Sequence, residues 1–354
     1  MELRHTQALI RQKISERYMD TCVVYVCLRG ETGMAFSENA DKDTLFDIAS
    51  MGKVLVTSPL VLKAVGAGHL SLQSTLGEIF SDVPEDKAAI TVQQLLTHTS
   101  GVLRYEYPAE VGRAGHKAVL RYILDSKLGF KPGTDFTYSC NGMMLLGFML
   151  EKLYGKKLDE IWREQMKTPL GLTRSEFNIP VDAENAAVSY HWREVGSLRA
   201  DDVNVLHIGG ISGAGGQYWT ARDIATYCQA VMEKSPALYP LELFALAEKD
   251  YTPNGQQGRG LGWLMVDERY AQTGKLFPNG SFGHTGWTGT AFHLNREKEL
   301  FAIVLTNSTR WTFLRENFRP KQIDEITHQL RRELYNEIHR DLTEKGLLEE
   351  GDRH

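Results

Sequence analysis

Ser50-Met51-Gly52-Lys53 puts a hydroxyl and an amine three residues apart. If the pair opens a helix, both side chains share one face. A hydroxyl with an amine beside it is a route to a nucleophile that needs no histidine. A helix N-terminus also favours the negative charge that develops when a serine attacks a carbonyl. Ser-x-x-Lys is a short pattern, and a capping serine with a solvated lysine reads the same way. It therefore needs partners elsewhere in the chain.

Two segments offer such partners. Phe136-Thr137-Tyr138-Ser139-Cys140-Asn141-Gly142 sets a tyrosine in a turn ahead of the apolar stretch Met143–Leu150, from which a hydroxyl can enter a cleft. A free tyrosine ionises near pH ~10, too high for a base at neutral pH, and a neighbouring lysine cation lowers that value. Gly283-His284-Thr285-Gly286-Trp287-Thr288-Gly289 precedes the strand-like Thr290–Leu294. A glycine-rich edge lets a substrate approach the backbone, and its N–H groups can hold an oxyanion; a plain β-turn has the same composition. His98 has a structural reading, at the end of a short helix that Gly101 closes.

These groups need a scaffold. Ile10, Ile14 and Tyr18 lie four apart and predict a helix over 5–18. Cys22–Leu28 is β-branched and aromatic, and predicts a strand; Arg29–Gly33 is a turn and Met34–Ser37 a second strand. Val54–Gly66 reads as a buried helix that Ser50 introduces, and the texture from about Leu70 to Pro240 is helical with loops. Strand signals return at Leu261–Val266, Thr290–Leu294 and Leu300–Leu305, and a last helix carries Ile323, Ile326, Leu330, Leu334 and Ile338. Strands at both ends and helices between predict an α+β fold: one antiparallel sheet flanked by the terminal helices, with a mostly helical lobe inserted. The expected organisation is a single domain over 1–345, its α/β lobe from about 1–67 and 258–345 and its helical lobe from about 68–257. A charged tail follows over 346–354. A cleft between lobes is where a site tends to form.

Composition narrows the function. Hydrophobic residues at 42% and charged residues at 24% fit a soluble globular chain. The net charge of -5 comes without a clustered basic stripe, which argues against nucleic acid as a partner. No apolar run is long enough to span a bilayer. Met1–Ile10 has no secretory apolar region, so a cytoplasmic location is expected. Cys22, Cys27, Cys140 and Cys228 match no zinc or redox spacing and read as free thiols. Gly-x-Ser-x-Gly and His-Glu-x-x-His are absent, and Gly209–Gly216 lacks the Gly-Lys-Ser/Thr of a phosphate loop. That segment reads as a loop lining the cleft, and neither a metal nor another cofactor is expected.

Taken in order, Ser50-x-x-Lys53, Tyr138-Ser139-Cys140 and His284-Thr285-Gly286 resemble the three-box pattern of the serine penicillin-recognising hydrolases. That superfamily includes class C β-lactamases, D-alanyl-D-alanine carboxypeptidases, D-aminopeptidases and esterases. Connecting phrases agree, among them Leu95–Gly101, Phe130–Gly133, Gly213–Asp223 and Leu305–Asn307, so the resemblance runs from about Thr44 to Asn307. It implies a β-lactamase-like fold. It implies Ser50 as acylated nucleophile, Lys53 as the hub of a shared proton network, and Tyr138 as general base and acid. The N–H groups of Ser50 and Trp287 would form the oxyanion hole, and His284, Thr285 and Gly286 the edge along which substrate lies.

Two positions depart from the pattern. Cys140 stands where asparagine is most frequent, an amide that would meet the substrate carbonyl. His284 replaces a lysine, and would be a weaker, pH-dependent partner for a substrate carboxylate. Both shift the expectation from β-lactams toward esters and small amides. The resemblance thus implies a serine hydrolase with an acyl-enzyme on Ser50, esterase-, D-aminopeptidase- or DD-peptidase-like, with weak β-lactamase activity left open. Its partner would be a small-molecule ester, amide or D-amino-acid peptide. An acyltransferase using the same acyl-enzyme, or a non-catalytic penicillin-binding-like protein, are the alternatives. The loops Tyr105–His116 and Val181–Val205 would shape the pocket, with Trp192, Tyr218, Trp219 and Trp287 as candidates for an aromatic wall.

Overall fold

Strands that are apolar on both faces must be covered on both faces, and the layering follows from that. The computed structural model describes residues 1–104, 106–180, 182–188, 200–253, 256–270, 272–310 and 320–349. Helix α1 (Arg4–Ser15) leads into strand β1 (Cys22–Leu28), which returns as β2 (Glu31–Phe36). The turn between them is two residues, Arg29 and Gly30, both at positive φ (51° and 82°). This hand matches the twist of a hairpin. It is shorter than the expected Arg29–Gly33 turn, because Glu31–Gly33 pair with Val26–Leu28.

Three short strands, β3 (Phe46–Asp47), β4 (Glu176–Phe177) and β5 (Gln217–Trp219), form a small sheet in the order β3-β5-β4. Runs of two or three residues carry no readable alternation, and the sequence did not signal this sheet. The main sheet is completed from the C-terminal part by β6 (Leu264–Met265), β7 (Phe282–Thr285), β8 (Ala291–Asn295) and β9 (Leu300–Thr306), in the order β2-β1-β9-β8-β7-β6. Every pairing in it is antiparallel. The strand expected over Leu261–Val266 shrinks to β6, because the Leu261 and Gly262 N–H groups bond to Ala247 and Leu96 instead.

The helices that matter to the site are α2 (Ser58–Gly66), α3 (Cys140–Tyr154), α4 (Ala221–Met232) and α5 (Pro320–Glu344). Cys22, Val24, Val26 and Leu28 of β1 pack with Ile10 of α1 and Leu330, Leu334 and Ile338 of α5. Val23 and Cys27 face the other way, into a core shared with Val54–Leu62 and Tyr227 of α4. β9 splits likewise: Leu300, Ala302 and Val304 toward the terminal helices, Phe301, Ile303 and Leu305 toward the helical side. Period-2 side chains thus make one sheet the middle of three layers. Burying each large aliphatic side chain contributes roughly 1.5–3 kcal/mol. Leu348, within the expected charged tail, belongs to the terminal-helix core. Among the described residues no helix is long and apolar enough to cross a membrane, and no group of three or more His, Cys, Asp or Glu is placed to hold a metal.

Candidate active site

The nucleophile segment begins where the small sheet ends. Phe46 and Asp47 pair with Trp219 and Tyr218, and the Ile48 N–H donates to the Gln217 carbonyl at 3.2 Å. Ala49 then turns into the left-handed region (φ 46°), where its N–H donates to Asp47 Oδ1 at 2.8 Å. The α-helix expected to begin at Ser50 does not. Ala49–Met51 is a tight 3-10 turn, Lys53–Thr57 a wide π-helical turn, and regular helix starts only at Ser58. Packing accounts for the irregularity. A Cβ on Gly52 would lie 1.8 Å from Gln217 Oε1, so the backbone comes down onto that side chain. Thr57 Oγ1 donates to the Gly213 carbonyl at 2.7 Å, and Lys53 Nζ to the Ala214 carbonyl at 2.9 Å. Ser50 and Lys53 meet despite the altered winding, with Nζ donating to Oγ at 2.8 Å.

Tyr138 is delivered by α3, whose N-cap Ser139 accepts the Gly142 N–H at 3.0 Å. His98 fixes the approach from both sides: its Nδ1 accepts the Ser139 N–H at 3.2 Å, and its carbonyl accepts the Thr137 N–H at 3.0 Å. The His98 and Tyr138 rings lie 4.7 Å apart, and Lys53 Nζ sits 5.1 Å from the Tyr138 ring centre. Lys53 is 1% exposed. Burial pushes its ammonium down, but Cys140 and the Tyr138 hydroxyl beside it push it up further and the net shift is upward. Lys53 therefore stands as a cation. Cys140, expected to touch substrate, is buried beside Lys53 and does not line the cleft. Asn141 turns away and donates to the Leu103 carbonyl at 3.1 Å.

The third box lies on β7. β6 pairs only with Phe282 and Gly283 of β7, so from His284 onward no strand among the described residues covers that side. The turn beyond β7 is clamped onto the nucleophile segment. Thr288 Oγ1 donates to the Asp47 carbonyl at 2.7 Å, and a Cβ on Gly286 would lie 2.5 Å from the Ile48 carbonyl oxygen. Arg331 of α5 ties the same turn from behind, its Nη2 donating to the Gly286 carbonyl and its Nε to that of Gly289 at 3.3 Å. Sequence reasoning missed Arg331; its signal is a charge beside the apolar register of the last helix. The Trp287 N–H donates to no acceptor among the described residues.

His284 Nδ1 lies 2.8 Å from the Thr285 carbonyl, which can only accept, so Nδ1 carries the proton and Nε2 of the neutral ring is an acceptor. Burial, then the Arg259 and Lys53 cations, hold this imidazole well below its usual range. The positive partner expected of His284 for a carboxylate is thus absent at neutral pH.

A cleft of about 420 Å³ gathers Ser50, Tyr138, His284, Thr285, Gly286 and Trp287 in its walls. Asp47 also lines it, and burial and then the neighbouring Asp201 push that carboxyl up to about 7. Of the proposed aromatic wall, Trp287 lines the cleft, Tyr218 and Trp219 are buried, with Trp219 packed on Trp162, and Trp192 lies outside the described residues. Of the two pocket-shaping loops, Tyr105, Val181 and residues 189–199 are also outside them. The arrangement offers a hydroxyl held by a cation, a phenol in contact with that cation, and an open N–H on a turn fixed against both.

The profile of the Beta-lactamase family matches residues 7–323 of the chain. A protein of Escherichia coli O157:H7, provisionally named a D-alanyl-D-alanine carboxypeptidase, is 28% identical over 325 residues, covering 78% of this chain and 72% of its own. The octameric penicillin-binding protein homologue from Pyrococcus abyssi superposes with a TM-score of 0.71 at 22% identity, over 93% of this chain and 77% of that one. EstCE1, described as a hydrolase with promiscuous acyltransferase activity, gives 0.71 at 19% identity, over 92% and 98%. At these identities the two structures speak for the fold alone.

Proposed function

The chain belongs to the Beta-lactamase family, and on that premise we propose that it is a serine hydrolase that forms an acyl-enzyme on Ser50. The substrate is an ester or small amide, D-amino-acid peptides included. The observation that carries the reading is the 2.8 Å hydrogen bond from Lys53 Nζ to Ser50 Oγ at the wall of the cleft. A lysine held as a cation cannot remove the serine proton, so it orients Oγ and stabilises negative charge beside it. Tyr138, acting as the phenolate beside the same cation, takes the proton and becomes the phenol as Oγ bonds to the carbonyl carbon. The N–H groups of Ser50 and Trp287 receive the oxyanion. Tyr138 then returns the proton to the departing atom, and water repeats the sequence on the acyl-enzyme.

A fluorophosphonate and a fluorescent penicillin, each read by intact mass, test this. A one-to-one adduct that disappears in Ser50→Ala is expected with the fluorophosphonate. A folded protein that takes up neither probe would sink the acyl-enzyme reading. Products formed in the presence of added alcohols or amines then show whether water or another acceptor takes the acyl group.

A further inference from the structure

The Trp287 N–H belongs to the same peptide unit as the Gly286 carbonyl. A trans peptide is flat, and its C=O and N–H point in opposite directions. Whatever grips the Gly286 oxygen therefore aims the Trp287 N–H. Two donors grip it: the Gly289 N–H at 3.1 Å, from within the turn, and Arg331 Nη2, from α5. A carbonyl oxygen has lone pairs for both.

The Gly289 bond moves with the turn, whereas Arg331 ties the turn to a separate body. Leu330 and Leu334, on either side of Arg331 in α5, are buried in the core shared with β1 and β9. Arg331 is itself 2% exposed. Its planar fork spans the turn, with Nε donating to the Gly289 carbonyl at 3.3 Å. Nη1 donates to Gln272 Oε1 at 2.7 Å, which fixes the plane of the guanidinium. All three acceptors are neutral, so none of them cancels the charge behind the Gly286 oxygen. A cation at the carbonyl end of a peptide favours the orientation that turns its N–H away. It also polarises that N–H, and a buried site strengthens the effect. Trp287 and Ser50 line the same cleft.

We propose that Arg331 is a positioning residue of the acylation step, aiming and polarising the Trp287 N–H through the Gly286 carbonyl. The helix that closes the main sheet thereby sets half of the oxyanion hole. The inference rests on the acyl-enzyme reading for the step it serves, and on the shared peptide unit for its geometry.

The test compares phenyl acetate with its thiono analogue, in which C=S replaces C=O. Sulfur is a weak hydrogen-bond acceptor, so the oxo-to-thiono ratio of kcat/KM reports how far the N–H donors are used. The wild-type ratio is expected to exceed that of hydroxide-catalysed hydrolysis. Arg331→Gln lowers kcat/KM for phenyl acetate by about 10–10²-fold, part of what a lost oxyanion donor costs. It also lowers the ratio at least about fivefold, because misaimed donors discriminate less. Arg331→Lys, a point cation without the fork, recovers part of the ratio and carries the test if the glutamine variant does not fold. Melting curves check folding. Nitrogen-15 labelling of the six tryptophans gives an arm without turnover, with Trp287→Phe identifying the backbone signal. That signal is expected to shift in both Arg331 variants. If it shifts while wild-type Ser50 takes up no fluorophosphonate, the peptide clamp stands and the acyl-enzyme reading falls. If folded variants slow both esters equally and keep the wild-type ratio, Arg331 only supports packing and the proposal is wrong.

Discussion

Lys53 and Tyr138 show how roles that residue type leaves open are set by neighbours. A buried lysine alone would tend to neutralise. Here the Ala214 carbonyl and the Ser50 hydroxyl accept from it, Cys140 and Tyr138 lie beside it, and the cation persists. In the proposed mechanism that leaves Tyr138 to move protons. Tyr138→Phe keeps the ring between His98 and Arg259 and removes only the hydroxyl. It is expected to slow fluorophosphonate labelling of Ser50 about 10²–10⁴-fold, the scale of a lost general base. Labelling at the wild-type rate by a folded Tyr138→Phe would move the base elsewhere. The short Ser-x-x-Lys spacing brings the two side chains into contact, because contact across one turn survives a change of winding. It was silent on Cys140, whose position behind Lys53 depends on how α3 docks.

At the scale of elements, the site is a junction of three pieces: the wound segment after β3, the N-terminus of α3, and the turn after β7. Glycine at 286 is what allows the last to close on the first. An alanine there would place its Cβ 2.5 Å from the Ile48 oxygen and 2.2 Å from Thr290 Oγ1. Gly286→Ala is expected to cost about 1–3 kcal/mol, as overpacking does, and to slow acylation by displacing the Trp287 N–H. Denaturant melts and labelling rates read the two effects; an alanine variant with unchanged values in both would mean that the turn is not clamped. β1 and β9 were legible because seven-residue apolar runs suit strands buried on both faces. β3, β4 and β5 were not, since pairs of residues become strands only when tertiary packing brings partners alongside.

For the whole molecule, the three-layer burial puts titratable groups where charging them opposes folding. His293, on β8, is 0% exposed, its Nδ1 lies 2.9 Å from the Tyr335 hydroxyl, and burial holds it down to about 3. Unfolded, it takes a proton below its ordinary value of 6.5. Its contribution to stability is therefore full above 6.5 and is lost as the pH falls toward 3, by up to about 1.4 kcal/mol per pH unit. His98 and His284 act in the same direction. Asp47 opposes them: raised from 3.8 to about 7, it contributes stability below 3.8 that is lost as the pH rises through 7. Unfolding free energy measured between pH 6 and 4 should fall with acidity, and His293→Gln should flatten that slope by about one proton. An unchanged slope would show that His293 already titrates normally in the folded protein.

The order and type of the reactive groups, and the strands long enough to alternate, were determined by the sequence itself, because contacts within one turn and period-2 burial are local. Charge and pairing were not. Lys53 depends on Ala214 and Tyr138, and His284 on burial and Arg259. Those neighbours come from distant parts of the chain, and the low dielectric that gives them weight exists only once the layers have closed. Only the tertiary structure could decide that the third-box histidine is neutral and that arginines outside the motifs line the cleft.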